Sequence, residues 1–92
     1  FAQSPRQTYR IIKHVRQKTG KFIIAKLSPE VTDIVAVARE ALAAGADALS
    51  LVNTFFALRV DIQTKRPLLG ANVSGGLSGP AIKPLALYRT WQ

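Results

Sequence analysis

The sequence predicts an α/β fold built on a strand–helix–strand unit. Two apolar runs, Phe22–Ala25 and Ala48–Val52, are continuous rather than alternating, which is typical of strands covered on both faces. Between them, apolar residues recur at helical spacing, and short links join the three segments. Strands and helices connected in this way form right-handed βαβ units in nearly all known folds.

Length and composition restrict the function classes. A chain of 92 residues with 48% hydrophobic and 20% charged residues is expected to form one small globular domain. No apolar run approaches the ~18–20 residues that span a bilayer, so we expect a soluble protein without a membrane partner. The absence of cysteine excludes disulfides and thiolate metal sites within this chain, and the single histidine, His14, excludes a multi-histidine site.

The net charge of +8 raises the possibility of a nucleic-acid partner. The thirteen basic residues, however, are scattered over helix faces and a loop, without aromatic residues interleaved among them. We therefore expect no nucleic-acid partner. A small basic binding module remains an alternative, and it predicts salt-dependent binding to DNA or RNA.

The first predicted element is an amphipathic helix over Ser4–Thr19. Ser4 suits the N-cap, Pro5 suits the first helical position, and Gly20 is expected to provide a left-handed C-terminal stop. A predicted strand, Lys21–Leu27, follows this helix. Its apolar run ends at Lys26.

The second helix is predicted to follow the turn Ser28–Glu30, with Ser28 or Thr32 as its cap and Gly45 as its left-handed stop. Its expected buried stripe comprises Ile34, Val35, Ala38, Ala41 and Leu42. The second predicted strand is Ala48–Val52, and Asn53 and Thr54 follow it directly.

Polar side chains thus end both predicted strands. Ligand sites in α/β folds gather at the carboxyl ends of parallel strands, so we interpret Lys26, Asn53 and Thr54 as a binding rim. An edge lysine that merely reaches solvent is the alternative interpretation of Lys26.

The connection Phe55–Gly79 is longer than the ~12–15 residues of ordinary loops. Alternating residues from Leu58 to Gln63, a turn at Thr64–Pro67 and a return at Leu68–Leu69 predict a small β-hairpin. Long excursions at strand ends commonly act as lids or partner surfaces.

A glycine-rich stretch, Ser74–Pro80, precedes the last predicted helix. Ser78 is expected to cap this helix, which Pro80 begins and which continues to Trp91 with an apolar face. Backbone N–H groups at such a turn suit an anion or the edge of a flat cofactor, although a plain structural turn is equally consistent. The helix reaches Gln92 without a stop signal, so the sequence is expected to be a piece of a longer one.

Three motifs in order carry a family resemblance. They are Lys26–Pro29 followed by Val31–Ile34, then Gly45–Thr54, then Gly75–Pro84, and they resemble the class 1 dihydroorotate dehydrogenases, with the heterotetrameric 1B branch nearest. The C-terminal part of dihydropyrimidine dehydrogenase is also similar. The resemblance covers nearly the whole chain.

This resemblance implies a (β/α)8 TIM barrel with FMN at the C-terminal face of its strands. Residues 1–92 would form a single partial domain, the central segment of that barrel with an inserted hairpin. The implied activity is FMN-dependent oxidation of dihydroorotate to orotate in pyrimidine biosynthesis. The implied assembly is a homo-oligomer, together with an electron-transfer subunit that carries FAD and an iron–sulfur cluster.

The resemblance also assigns roles to the rim. Lys26 corresponds to the lysine at the pyrimidine edge of FMN, where a cation stabilises charge developing on the flavin. Asn53 and Thr54 correspond to the groups that bind the substrate pyrimidine. The remaining cofactor contacts would be Val52, through its backbone, and the turn Ser78–Gly79.

No catalytic residue is assigned, because the family's base is a cysteine and this chain contains none. The isolated chain is therefore expected to be inactive. Glu30 departs from the family, which usually has asparagine there. A non-catalytic βαβ fragment that self-associates remains the alternative, and a dihydrouracil-type substrate is not distinguished from dihydroorotate.

Overall fold

The computed structural model describes residues 2–69 and 71–92 of the chain. In those residues the fold is α/β. The helices are α1 (Pro5–Lys18), α2 (Ile34–Ala43) and α3 (Lys83–Trp91), and a 3-10 turn (Pro80–Ile82) leads into α3. The strands are β1 (Ile24–Lys26), β2 (Ala48–Ser50), β3 (Phe55–Ala57), β4 (Val60–Asp61), β5 (Arg66–Pro67) and β6 (Gly75–Leu77).

The predicted βαβ unit is confirmed. Strands β1 and β2 pair in parallel, with Ala25 opposite Leu49, and α2 connects them. Both strands are shorter than predicted. At their start, the Asp47 carboxylate accepts the Ile23 N–H at 2.7 Å, so a side chain takes the donor that a longer ladder would use.

One face of this two-stranded sheet carries the core. Helices α1 and α2 pack on that face, where Ala25, Leu27 and Val37 are buried. The opposite face is open: Phe22 is 70% exposed and Ile24 is 60% exposed. The expectation that both faces are covered is therefore wrong for the described residues, because all of their helices that contact the sheet core lie on one side.

The caps of the first two helices are partly as predicted. Ser4 caps α1 by accepting a hydrogen bond from Gln7 N, and Pro5 takes the first position. The prediction for Gly20 is wrong, because Thr19 ends α1 in an extended conformation and Gly20 has no positive φ. Helix α2 is capped by Asp33, whose carboxylate accepts from Ala36 N at 2.9 Å, and not by Ser28 or Thr32.

The C-terminus of α2 ends as predicted at Gly45, which has a φ of +106°. Its N–H donates to Leu42 O, and the next N–H, of Ala46, donates to Ala41 O, which together form a Schellman motif. Leu42 itself is 48% exposed, contrary to the predicted stripe. The stripe instead centres on Ile34, Val37 and Ala41, and Leu42 lies about 100° from Ala41 around the helix.

Residues 55–69 and 71–77 form a β extension of two ladders, which we call the arm. The predicted hairpin is confirmed at its tip, where β4 pairs antiparallel with β5 and Leu68 N donates to Arg59 O. Arg66 and Pro67 belong to β5 rather than to the turn. A second antiparallel ladder, between β3 and β6, forms the base of the arm and was not predicted.

Helix α3 is preceded by the 3-10 turn, and neither has a side-chain cap, so the predicted capping by Ser78 is wrong. Pro84 lies in the first turn of α3, where its missing N–H is tolerated. The predicted apolar face of α3 is exposed, most of all Trp91 at 88%. The Arg89 guanidinium secures the helix by donating to Val31 O at 3.1 Å. No helix in the described part of the chain is long and apolar enough to cross a membrane.

Candidate functional site

Lys26 lies on the open face of the sheet. Its strand neighbours Ala25 and Leu27 are buried, whereas Lys26 is exposed, as alternation along a strand requires. It pairs in register with Ser50 of β2. Within residues 2–69 and 71–92, no hydrogen bond or ion pair engages its side chain. The ammonium group is therefore available to a ligand on this face.

Asn53 and Thr54 lie beside the end of β1. The Asn53 N–H donates to Leu27 O at 2.8 Å, which continues the β1–β2 pairing beyond the regular strands. Both polar residues are exposed, and Val52 before them is half-buried against the core. The peptide bond between Leu51 and Val52 is cis. Lys26, at the end of β1, and Asn53, just after β2, therefore lie on neighbouring stretches of backbone at one edge of the sheet.

The base of the arm brings the glycine-rich stretch to the same edge. Phe55 pairs with Leu77, and continuing this antiparallel register by one residue places Thr54 opposite Ser78. The backbones approach closely here: a Cβ added to Gly76 would lie 2.8 Å from the Cβ of Thr54. The glycine permits this approach because it has no side chain.

Ser78 and Gly79 are both exposed, and Gly79 has a φ of +80°. Gly79 O accepts from Ile82 N at 3.2 Å, which starts the 3-10 turn. We call the edge formed by the six predicted site residues the rim; these are Lys26, Val52, Asn53, Thr54, Ser78 and Gly79. The β1–β2 pairing places Lys26 beside the segment Val52–Thr54, and the β3–β6 register places Ser78 opposite Thr54. The individual roles of the six residues remain predictions.

Sequence reasoning missed the contact that joins the arm to the rest of the rim. The Glu30 carboxylate accepts the Phe56 N–H at 2.8 Å across a separation of 26 residues. No local sequence pattern predicts this hydrogen bond, because its donor is a backbone N–H in a strand that was not predicted.

A second missed contact lies away from the rim, at the opposite end of the strands. Arg16 of α1 donates to Gly45 O at 2.9 Å and to Lys21 O at 3.0 Å, and it also pairs with the Asp47 carboxylate. The hydrogen bond from Ile23 N, followed by the contact with Arg16, lowers the pKa of Asp47 below its ordinary value. This cluster joins three segments and has a structural role.

Cavities lie beside α1. A hollow of about 600 Å³ runs along the exposed side of α1 and includes no rim residue, so we attribute it to grooves between long side chains. A smaller cavity of about 160 Å³ lies between α1 and β1 and reaches Lys26. In the described ranges, no group of three or more histidine, cysteine or acidic residues could hold a metal ion.

Comparison with known proteins gives a consistent family match. The family model described as dihydroorotate dehydrogenase matches residues 1–92. Proteins named dihydroorotate dehydrogenase B (NAD(+)), catalytic subunit, are similar along the whole chain: those of Desulforudis audaxviator and Geobacter metallireducens are each 52% identical, and that of Geotalea uraniireducens is 51% identical. The chain spans 30% of the length of each of these relatives.

Proposed function

Because the chain belongs to the dihydroorotate dehydrogenase family, we propose that it supplies part of the active site of an enzyme that oxidises dihydroorotate to orotate in pyrimidine biosynthesis. In this proposal, residues 1–92 are a central segment of a (β/α)8 barrel, and the rim lies at its C-terminal face. FMN is the proposed cofactor and dihydroorotate the proposed substrate.

The observation that carries the proposal is the common location of the rim residues. Parallel barrel strands place their ligand-binding groups at their carboxyl ends. Lys26 ends β1 and Asn53 follows the neighbouring parallel strand β2, while the β3–β6 ladder adds the turn Ser78–Gly79. The open face next to Lys26 offers room for a flat ligand, since Ile24 on that face is 60% exposed.

The chemistry of the rim fits FMN and an anionic pyrimidine. Its side chains offer an ammonium, an amide and hydroxyl groups, and none of the six residues is acidic. Gly79, with its positive φ and no side chain, allows a planar ring to approach the backbone. FMN, when bound, supplies the acceptor for the hydride that leaves C6 of dihydroorotate.

The chain's own residues would bind and orient the reactants. The Asn53 amide can both donate to and accept from a pyrimidine ring, whose edge alternates N–H and C=O groups. The Thr54 hydroxyl can add a further hydrogen bond. The Lys26 cation would favour the reduced state of the cofactor by stabilising negative charge at its pyrimidine edge. The base that removes the C5 proton would come from another part of the protein, because the family uses a cysteine.

The names of the relatives support a partner protein. A subunit described as catalytic and as NAD(+)-linked implies a second subunit that passes electrons to NAD(+). We extend this to our chain as a proposed electron-transfer partner with FAD and an iron–sulfur cluster. A homo-oligomeric catalytic subunit and a cytoplasmic location belong to the same proposal and rest on the family resemblance.

The function can be tested with the longer protein that contains this segment, purified with FMN. We expect it to form orotate from dihydroorotate, and not to oxidise dihydrouracil at a comparable rate. The Lys26→Ala variant should reduce its flavin about a hundredfold more slowly, the usual loss when one group that stabilises developing charge is removed.

The matched control is Lys18→Ala, which removes an exposed lysine at the end of α1. It should leave the rate unchanged. Equal losses in the two variants, or no orotate from the unaltered protein, would contradict the proposal.

A further inference from the structure

The loop between β1 and α2, residues 28–31, is held rigidly. Pro29 is fully buried, and the Ser28 hydroxyl accepts from Glu30 N at 3.3 Å. Val31 O accepts from the Arg89 guanidinium at 3.1 Å, which fixes the loop to α3. A side chain on this loop therefore projects from a well-supported backbone.

Glu30 extends from this loop to the base of the arm. Its carboxylate accepts the Phe56 N–H at 2.8 Å, and a backbone N–H donating to a carboxylate forms a strong, charge-assisted hydrogen bond. Phe56 lies in the middle of β3, where it pairs with Gly76 of β6. The Glu30 carboxylate thus joins the loop after β1 to the β3–β6 ladder.

Two hydrogen bonds bracket the substrate side of the rim. Asn53 N donates to Leu27 O at one end, and Phe56 N donates to the Glu30 carboxylate at the other. Asn53 and Thr54, which carry the proposed substrate contacts, lie in the segment between these two bonds. If the second bond were lost, the far end of the segment would keep its pairing with β6 but lose its connection to the loop after β1.

We propose that Glu30 is a positioning residue for the pyrimidine pocket: by binding the Phe56 N–H, it orients Asn53 and Thr54 toward the substrate. This inference rests on the proposed function. Glu30 acts through the backbone of β3, so it does not itself touch substrate. Lys26 and its strand are held by the β1–β2 pairing, which does not involve Glu30.

Steady-state kinetics of the longer FMN-loaded protein test this role. Glu30→Ala should raise KM for dihydroorotate about tenfold or more, the factor that loss of one charge-assisted hydrogen bond represents. FMN content and the rate at saturating substrate should change much less. Glu30→Gln keeps an acceptor oxygen of similar reach, and it should restore KM to within about threefold of the unaltered protein.

Glu40→Ala is the matched control. Glu40 lies further along α2, and no hydrogen bond of its side chain is found among residues 2–69 and 71–92, so its removal should leave KM unchanged. If Glu30→Ala does not yield folded protein, Glu30→Asp serves instead. Aspartate keeps the negative charge, but its side chain is one methylene shorter, so the carboxylate no longer reaches the Phe56 N–H. KM for dihydroorotate should therefore rise as it does in Glu30→Ala.

A purely structural role for Glu30 predicts a different result: lower thermal stability, with an unchanged KM in the protein that remains folded. That result, or equal KM increases in the Glu30→Ala and Glu30→Gln variants, would overturn the inference while leaving the proposed function intact. Failure of the unaltered protein to form orotate would overturn both.

Discussion

Gly76 occupies a position where a single added carbon would disturb the rim. A Cβ there would lie 2.8 Å from Thr54 Cβ, which cannot move without its backbone. The adjacent Gly75 is also crowded, but its added Cβ would meet only Leu69 Cδ1, the far end of a flexible side chain. The two glycines therefore form a matched pair for testing whether Thr54 is part of the pocket.

We expect Gly76→Ala to raise KM for dihydroorotate about tenfold in the longer protein, because small displacements of binding groups commonly cost that much or more. The Gly75→Ala variant should have a KM for dihydroorotate close to that of the unaltered protein. Similar KM values for both variants would show that the position of Thr54 does not matter for substrate binding.

The rim residues on the strands were predictable for a local reason. Apolar runs that end in Lys26 and Asn53 place these residues at strand ends, and strand ends are where α/β sites form. The prediction that Ser78 caps the last helix failed because a 3-10 turn at Pro80–Ile82 separates Ser78 from α3. The contact made by Glu30 was not predicted, because its partner is a backbone N–H 26 residues away in the sequence.

At the scale of elements, the Arg16–Asp47 cluster joins α1 to both strand entrances. Asp47 accepts from Ile23 N just before β1 and pairs with Arg16 of α1. These contacts lower its pKa in the folded state below the unfolded value of about 3.9. A depressed carboxyl pKa stabilises the fold above the unfolded pKa, and this contribution is lost as the pH falls through the folded pKa.

Asp47→Asn should therefore reduce the free energy of unfolding at neutral pH and weaken its dependence on pH below about 4. Denaturant unfolding at several pH values would measure both effects, and limited proteolysis should show faster cleavage between α1 and β1. Asp61→Asn is the control, because the pKa of Asp61 is also lowered, but by hydrogen bonds from Gln63 and Thr64 of its own turn. Equal cleavage between α1 and β1 in the two variants would contradict this assignment.

The elements themselves differ in how far local sequence determines them. Helices α1 and α2 and the unit β1–α2–β2 follow from periodicity, the Ser4 cap of α1 and the stop at Gly45. The β3–β6 ladder does not, because Gly75 and Gly76 have low strand propensity and their partners lie about twenty residues earlier in the chain. Tertiary pairing at the base of the arm overrides the local preference of these glycines.

The whole molecule is more extended than a self-sufficient domain of this size. Its radius of gyration is 16.1 Å, whereas a compact chain of this length would have about 12 Å. Its accessible area is 6926 Å², compared with roughly 5200 Å² for a compact protein of 10.0 kDa. The excess includes the open sheet face, with Phe22 and Ile24, and the exposed face of α3.

Such a surface fits a segment that other parts of a barrel cover. A second copy of the chain could also cover it, as the self-association alternative predicts. The family match along all 92 residues, together with the chain's 30% share of its relatives' length, favours the barrel. We therefore place the rim, in the proposed enzyme, at the mouth of a barrel of which this chain forms only a part.

Binding of orotate to the oxidised, FMN-loaded protein tests most directly whether the rim holds the pyrimidine. The comparison is between Asn53→Ala and Asn72→Ala, since Asn72 is an exposed asparagine of the arm outside the rim. We predict that Asn53→Ala raises the Kd for orotate about tenfold to a hundredfold, as expected when polar groups of the bound ligand lose their hydrogen-bonding partner, and that Asn72→Ala leaves it unchanged. An unchanged Kd in Asn53→Ala would contradict the account.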